Sequence, residues 1–487
     1  MTTIKSTKVI FLITSLAVFF SFHTPAWAFD AEDIEVYVDG DEIDAINDDE
    51  DKYIVQSNYV DIEIENEDPN TYTTATVNGE EAEVSGRDWE YEDLKLEPGD
   101  NTITVDANGT TVEIIIDYVD AAAPKSYYRV PDITDETSIE VFDGDVVLDI
   151  GRNVILEDGR DEIARNQNID FSIYDREYIR GSGGFNYTPS SRLYRITGGD
   201  VDEDDDDIDE YSLLDSGTLT LKYDAKNIGK GLDTLTVLWF KDYDGSPNKS
   251  AVENLGGRVN TEENTITVTF PKNGFGYYGV FNFAGNFIDF SWGDENTQWA
   301  KTYVMPLYAK GIMQPLNQSS NNFGLKSFNG IQQYITQGEY ASMIVKALDL
   351  PHGEISGIGD YGYPITTKDP YLQAAASHGL LNGINFSPTS IVTREQGAVM
   401  VARAANLRLY DDLDLISRII GRIYTDTETM SPWAKPYIYA AYKSKYLVGM
   451  KDPNYKYRYK FAAQQPLTRV QAAKVVYKLM ENKNANQ

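Results

Sequence analysis

Residues 392–404 read VTREQGAVMVARA, a Thr-Arg pair directly ahead of an apolar run with helical periodicity. The pattern recurs as ITQGEYASMIVKA from Ile335 and as LTRVQAAKVVYKL from Leu467. Aligned on Thr336, Thr393 and Thr468, each copy has an apolar residue before the threonine (Ile335, Val392, Leu467) and Glu339, Gln396 or Gln471 three residues after it. That is the capping-box spacing. The Thr hydroxyl accepts the amide three residues on, and the Glu or Gln side chain reaches back to the Thr amide. Alanine follows at the fifth position (Ala341, Ala398, Ala473) and a base at the tenth (Lys346, Arg403, Lys478). The apolar positions share one helical face, and the basic position lies off it.

A second helical stretch precedes each capped one, starting at Trp299, Tyr371 and Trp433. Aligned on the turn that ends it, Gly311 matches Gly379, and the third copy has Lys445 there. Trp299 matches Trp433, with Thr367 in the second copy. Each unit therefore reads as helix, loop, capped helix, with units at about 292–350, 358–410 and 424–484. The caps lie 57 and then 75 residues apart. Stacked helical repeats bury what one unit cannot.

WAKTYVMPLYAKGI followed by the Thr-x-x-Glu cap resembles the S-layer homology (SLH) domain, and residues 292–487 resemble a wall-anchoring trimer of such domains. The resemblance implies an all-α, pseudo-threefold fold with grooves between neighbouring repeats. It also implies non-covalent binding of secondary cell wall polysaccharide, often through a pyruvylated sugar. The family motif Thr-Arg-Ala-Glu appears as Thr393-Arg394-Glu395-Gln396 and as Thr468-Arg469-Val470-Gln471, but as Thr336-Gln337-Gly338-Glu339 in the first copy. A helix N-terminus is a natural anion site, and an arginine just inside the cap adds a bidentate partner for a ketal carboxylate. The expected binding residues are thus Arg394, Arg469, Thr393, Thr468, Gln396, Gln471, Thr336 and Glu339, with Trp299 and Trp433 stacking on the sugar. Plainer roles stand beside these: helix caps for the threonines, ion pairs with nearby acids for the arginines, core packing for the tryptophans. Gln337 makes the first groove the weakest candidate.

Upstream, the texture is different. Residues 29–121 alternate apolar and polar in short runs such as YVDIEIEN and NTITVDANGTTVEIIIDYV, broken by Val77-Asn78-Gly79 and Asn108-Gly109. Asn-Gly between alternating runs is a hairpin signal, and many short strands at this spacing predict a β-sandwich. LEPGDNTITV resembles cadherin-like or immunoglobulin-like bacterial surface modules. After Ala121-Ala122-Ala123-Pro124, residues 125–290 read as a second all-β, sandwich-like module with no helix. They resemble the β-rich modules that precede anchoring repeats in Gram-positive surface proteins. The run VDEDDDDIDE, 201–210, reads as a solvated loop. Its Asp202, Asp204 and Asp206 offer carboxylates to calcium, though without the glycine and distal glutamate of an EF-hand. No other metal or cofactor is expected.

Lys5 and Lys8, the apolar stretch VIFLITSLAVFF and Ala26-Trp27-Ala28 read as a secretory signal peptide, residues 1–28. The apolar stretch falls short of the ~20 residues a membrane span needs. The chain of 487 residues has no cysteine, so stability must come from its cores. It carries 77 acidic and 42 basic residues, a formal charge of −35 that becomes −37 without Lys5 and Lys8. Such a chain repels nucleic acid and anionic lipid. Two histidines remain beyond the signal, His352 and His378, and there is no HExxH, GxSxG, phosphate loop or Cys–His pair. The expectation is a non-enzymatic, secreted protein of the cell wall surface, associated with other S-layer proteins. The alternative is a wall-anchored carbohydrate-binding protein or hydrolase acting through residues 29–290, since glycosidase carboxylate pairs leave no signature in sequence spacing.

Overall fold

The computed structural model describes residues 34–43, 52–66, most of 74–350, and 369–485. The signal-like segment, the acidic run with Asp202, Asp204 and Asp206, and His352 lie outside the described residues. The chain divides into two compact units, residues 1–119 and 120–487.

The first unit holds two five-stranded sheets. One runs in the order Asp41–Ile43, Ile34–Val38, Tyr59–Asn66, Asp88–Lys95, Glu83–Ser85, and the other Tyr53–Val55, Thr110–Tyr118, Gly99–Ala107, Ala75–Val77, Glu80–Glu81. Period-two alternation turns Val36, Ile62, Ile64 and Trp89 inward from the first, and Ile103, Val105, Ile114 and Ile116 from the second. Asn78 and Gly79 both take positive φ (50° and 86°), as a two-residue hairpin turn demands.

The β-part of the second unit pairs a seven-stranded sheet with a five-stranded one. Ile169, Phe171, Ile196, Val237 and Val280 of the former face Leu148, Leu219, Leu221, Ile266 and Val268 of the latter. Leu235–Phe240 and Gly276–Phe283 are buried at every position, so the larger sheet is covered on both faces. Among its covers is the helical region. Asn254 donates to the Ala309 carbonyl at 2.7 Å. Lys310 Nζ donates to the carbonyls of Leu235 (2.9 Å) and Gly257 (2.7 Å). The boundary read near Trp292 is therefore a change of secondary structure inside one unit. The division into the two compact units falls between Val119 and Asp120, just ahead of Ala121–Pro124.

Seven α-helices follow among the described residues: α1 (Glu295–Ala309), α2 (Gln337–Leu348), α3 (Pro370–Ser377), α4 (Arg394–Ala404), α5 (Leu413–Ile423), α6 (Lys435–Lys443) and α7 (Arg469–Ala485). The capped helices are α2, α4 and α7. Each packs on the leading helix of the next unit, α2 on α3, α4 on α6, and α7 back on α1. Helix α5 was not anticipated. Asp412 caps it through the Leu415 amide, and Ile416 and Ile420 bury its apolar stripe. With the short hairpin Met450–Lys451/Tyr459–Lys460 it accounts for the wider second spacing.

Candidate functional site

Three concentric sets of bonds organise the capped N-termini. The innermost is backbone. Ile335 N donates to Leu467 O (3.1 Å), Leu467 N to Val392 O (2.9 Å), and Val392 N to Ile335 O (3.1 Å), closing a ring. Next come the capping boxes. The amides of Glu339, Gln396 and Gln471 donate to the hydroxyls of Thr336, Thr393 and Thr468 at 3.1, 3.3 and 3.2 Å. The Thr amides return bonds to the same Glu and Gln side chains at 3.2, 3.0 and 3.4 Å.

The third set joins the units through side chains, again as a ring. Gln337 Nε2 donates to Gln396 Oε1 at 3.2 Å. Arg394 Nη1 donates to Gln471 Oε1 at 3.0 Å. Arg469 Nη1 pairs with Glu339 Oε1 at 2.7 Å. The residue after each threonine thus holds the box residue of the next unit. Arg394 also donates from Nε to Phe461 O (2.7 Å), and Arg469 from Nη2 to Gln314 O (2.6 Å). They are 4% and 1% exposed. Burial pulls the Arg394 guanidinium below its usual range, against the attraction of nearby Asp426. Arg469 Nε is buried without a hydrogen-bond partner among the described residues.

The first-turn amides read as an anion site donate within the protein. The leading amides are already taken. Gln337 N and Gly338 N donate to Ser390 O and Pro388 O. Arg394 N and Glu395 N donate to Gln465 O and Ala463 O, and Arg469 N to Gln333 O. With the third amide on the threonine, each first-turn amide of α2 and α4 has a protein acceptor, and both guanidiniums bond protein acceptors. Arg394 and Arg469 are built as ties between units, as is Gln337 in the copy that lacks arginine.

The tryptophans are placed otherwise. Trp299 is 45% and Trp433 43% exposed, the former in the second turn of α1 and the latter just ahead of α6. Around them lies a set of aromatic–cation contacts that the sequence reading missed. Tyr303, Tyr371 and Tyr437 each stand eight residues before the turn residue of their unit. Each receives a cation from the preceding capped helix. Lys346 lies 4.4 Å from the Tyr371 ring, Arg403 5.0 Å from Tyr437, and Lys474 5.6 Å from Tyr303 and 5.8 Å from Trp299. The shared offset of eight was the available signal.

The tenth-position bases also finish the leading helices. Lys346 donates to Gly311 O (3.2 Å), Arg403 to Leu380 O (3.2 Å), and Lys478 to Lys445 O (3.0 Å). Gly311 and Gly379 take φ of +67° and +70° there, and Lys445 takes +60° in their place.

Outside this region, the β-part of the second unit has an open cavity of about 610 Å³. Tyr174, Tyr223, Arg192, Asp224 and Asn264 are among its lining residues.

Residues 423–473 match the family model of the S-layer homology domain. The match runs from the end of α5 through α6 and the hairpin into α7, with the Thr468 cap and Arg469 inside it. The chain therefore carries an S-layer homology domain, a module of cell-surface and S-layer proteins. No curated protein matches the chain. No helix among the described residues is long and apolar enough to cross a membrane.

Proposed function

We propose that this is a non-enzymatic surface protein held non-covalently to secondary cell wall polysaccharide by three S-layer homology repeats in pseudo-threefold arrangement. Its β-sandwich modules, cadherin-like or immunoglobulin-like in the first unit, are displayed in a structural or interaction role among other S-layer proteins. The observation that carries the reading is the pair Trp299 and Trp433. They occupy the same position in two repeats, both stand open to solvent, and the first lies beside a lysine. An exposed indole offers a flat apolar face to a sugar ring, and an adjacent ammonium suits a carboxylate such as a pyruvate ketal. In this reading Lys474, rather than the buried Arg394 and Arg469, meets the charge of the ligand. The threonines, Glu339, Gln396 and Gln471 hold the frame that sets the junctions.

Native sacculi test it. The chain should sediment with them and fail to do so once the secondary polysaccharide is removed. Equal sedimentation with stripped sacculi would redirect the reading to peptidoglycan itself.

The second reading is a wall-anchored carbohydrate-binding protein acting through the β-part. The 610 Å³ cavity favours it, because two tyrosines beside charged and amide side chains suit a saccharide.

A further inference from the structure

The hairpin Met450–Lys451/Tyr459–Lys460 carries an open aromatic surface. Tyr457 is 77%, Tyr455 48% and Met450 43% exposed, and Lys451, Lys456 and Lys460 are exposed beside them. The backbone beneath is fixed. Thr425 Oγ1 donates to Asp452 Oδ2 at 2.6 Å, Thr425 N to Tyr459 O at 2.9 Å, and Asn454 N to Asp452 Oδ1 at 2.9 Å. Arg458 Nη2 donates to the carbonyls of Gly421 and Tyr424, both at 2.6 Å. The rings are steadied as well, by Arg458 at 5.3 Å from Tyr455 and Lys456 at 5.1 Å from Tyr457. Two tyrosines held outward on a fixed hairpin are aromatic anchors that lose little freedom on binding.

Charge says what fits this surface. Residues 449–460 hold four basic residues and one acidic residue, and residues 292–487 hold 21 and 15, in a chain of formal charge −35. Residues 29–119 hold 29 acidic residues and 3 basic ones. Part of that excess is ordered on the outward face of one sheet of the first unit. There Glu35 lies directly opposite Glu65, Glu63 opposite Glu90, and Glu90 opposite Glu83. Like charges directly across a ladder destabilise the sheet, and Glu90 and then Asp61 raise the neighbouring Glu92 carboxyl by repulsion. A cationic partner surface would offset that repulsion.

We propose that the tyrosine hairpin of one copy of this chain docks on the acidic sheet face of the first unit of a second copy. The two surfaces differ, so the contact is heterologous, and repeating it builds rings or open head-to-tail chains rather than an isologous dimer. The hairpin surface is separate from Trp299 and Trp433 and does not rest on the polysaccharide reading.

The test is sedimentation velocity of the chain from residue 29 onward. At about 20 mM salt the wild type should form species larger than a dimer as its concentration rises, and at about 300 mM, where surface charges are screened, it should return to monomer. The Tyr455→Ser, Lys456→Gln, Tyr457→Ser variant should associate about tenfold more weakly or worse, the effect of losing anchor side chains. The Glu63→Gln, Glu90→Gln variant should lose association in the same way, and its melt should be no lower than that of wild type because the ladder repulsion is relieved. Mixed together, the two variants should form a one-to-one dimer and stop there, since one intact pair of surfaces remains. A wild type that stays monomeric at low salt, a hairpin variant that associates as wild type does, or a mixture without dimer overturns the proposal.

Discussion

The capped N-termini and the aromatic junctions are two sets of threefold contacts in the same helical region, and they differ in what they leave open. At the N-termini of α2 and α4 every amide of the first turn has a protein acceptor, and the side chains of Gln337, Arg394 and Arg469 close on the next unit. At the junctions the cations rest against tyrosine faces, and Trp299 and Trp433 remain open to water. The residues that look most like a ligand clamp in sequence are the ones that hold the units together. The open surface belongs to residues whose pattern is less conspicuous.

Breaking the N-terminal ring should produce the largest effect on stability, graded by charge. Arg469→Ala removes a buried guanidinium and strands the Gln314 carbonyl, while Glu339 keeps some contact with water. The expected loss is about 3 kcal/mol, at the low end for a broken buried pair. Arg394→Ala, whose acceptors are neutral, should cost about 2 kcal/mol, and Gln337→Ala about 1 kcal/mol. Urea unfolding of the three variants checks the order. Equal losses would mean that the three ties are not graded by charge.

The seam between the β-part and the helices gives a pH signature. Burial pulls Lys310 down to about 8, from 10.5. Above pH 8 the folded chain has released this proton while the unfolded chain still holds it, so stability rises with pH across about 8 to 10.5. By pH 10 the gain from this one group should be about 2 kcal/mol. It is best read below pH 10, because buried Tyr340 and Tyr424 have hydroxyls raised by burial and reverse the slope above it. Lys310→Met should flatten the rise in a series of chemical melts. A rise of the same size in the variant would place its origin elsewhere.

A smaller effect separates the third unit from the other two. Lys445 stands in left-handed conformation where its counterparts are glycines, at a cost of about 1 kcal/mol. Lys445→Gly should therefore stabilise the chain by about 0.5–1 kcal/mol, and the Lys478 bond to its carbonyl should survive. A lower melting temperature for this variant would contradict that account of the turn.

Much of this architecture was legible in the chain. Period-two runs such as YVDIEIEN became strands over the same residues, and the three Thr-x-x-Glu/Gln spacings became capping boxes. What escaped depends on partners far away in sequence. The acceptors of Arg469 and Arg394 lie 130 and 77 residues off, so their burial could not be seen locally. The same holds for Lys310, which reads as part of a helical motif but reaches carbonyls 75 and 53 residues upstream. Helix α5 escaped because LDLISRIIGRI lies between two repeats and matches neither.

Sacculus binding by the Trp299→Ala, Trp433→Ala double variant tests the division between lock and binding surface most directly. Both side chains are partly exposed (45% and 43%), so the melt should fall only slightly below that of wild type. Binding to native sacculi should fall by about tenfold for each indole removed, on the order of 1–2 kcal/mol apiece. Unchanged binding by the double variant, with the melt intact, would contradict the assignment of the wall-facing surface to these junctions.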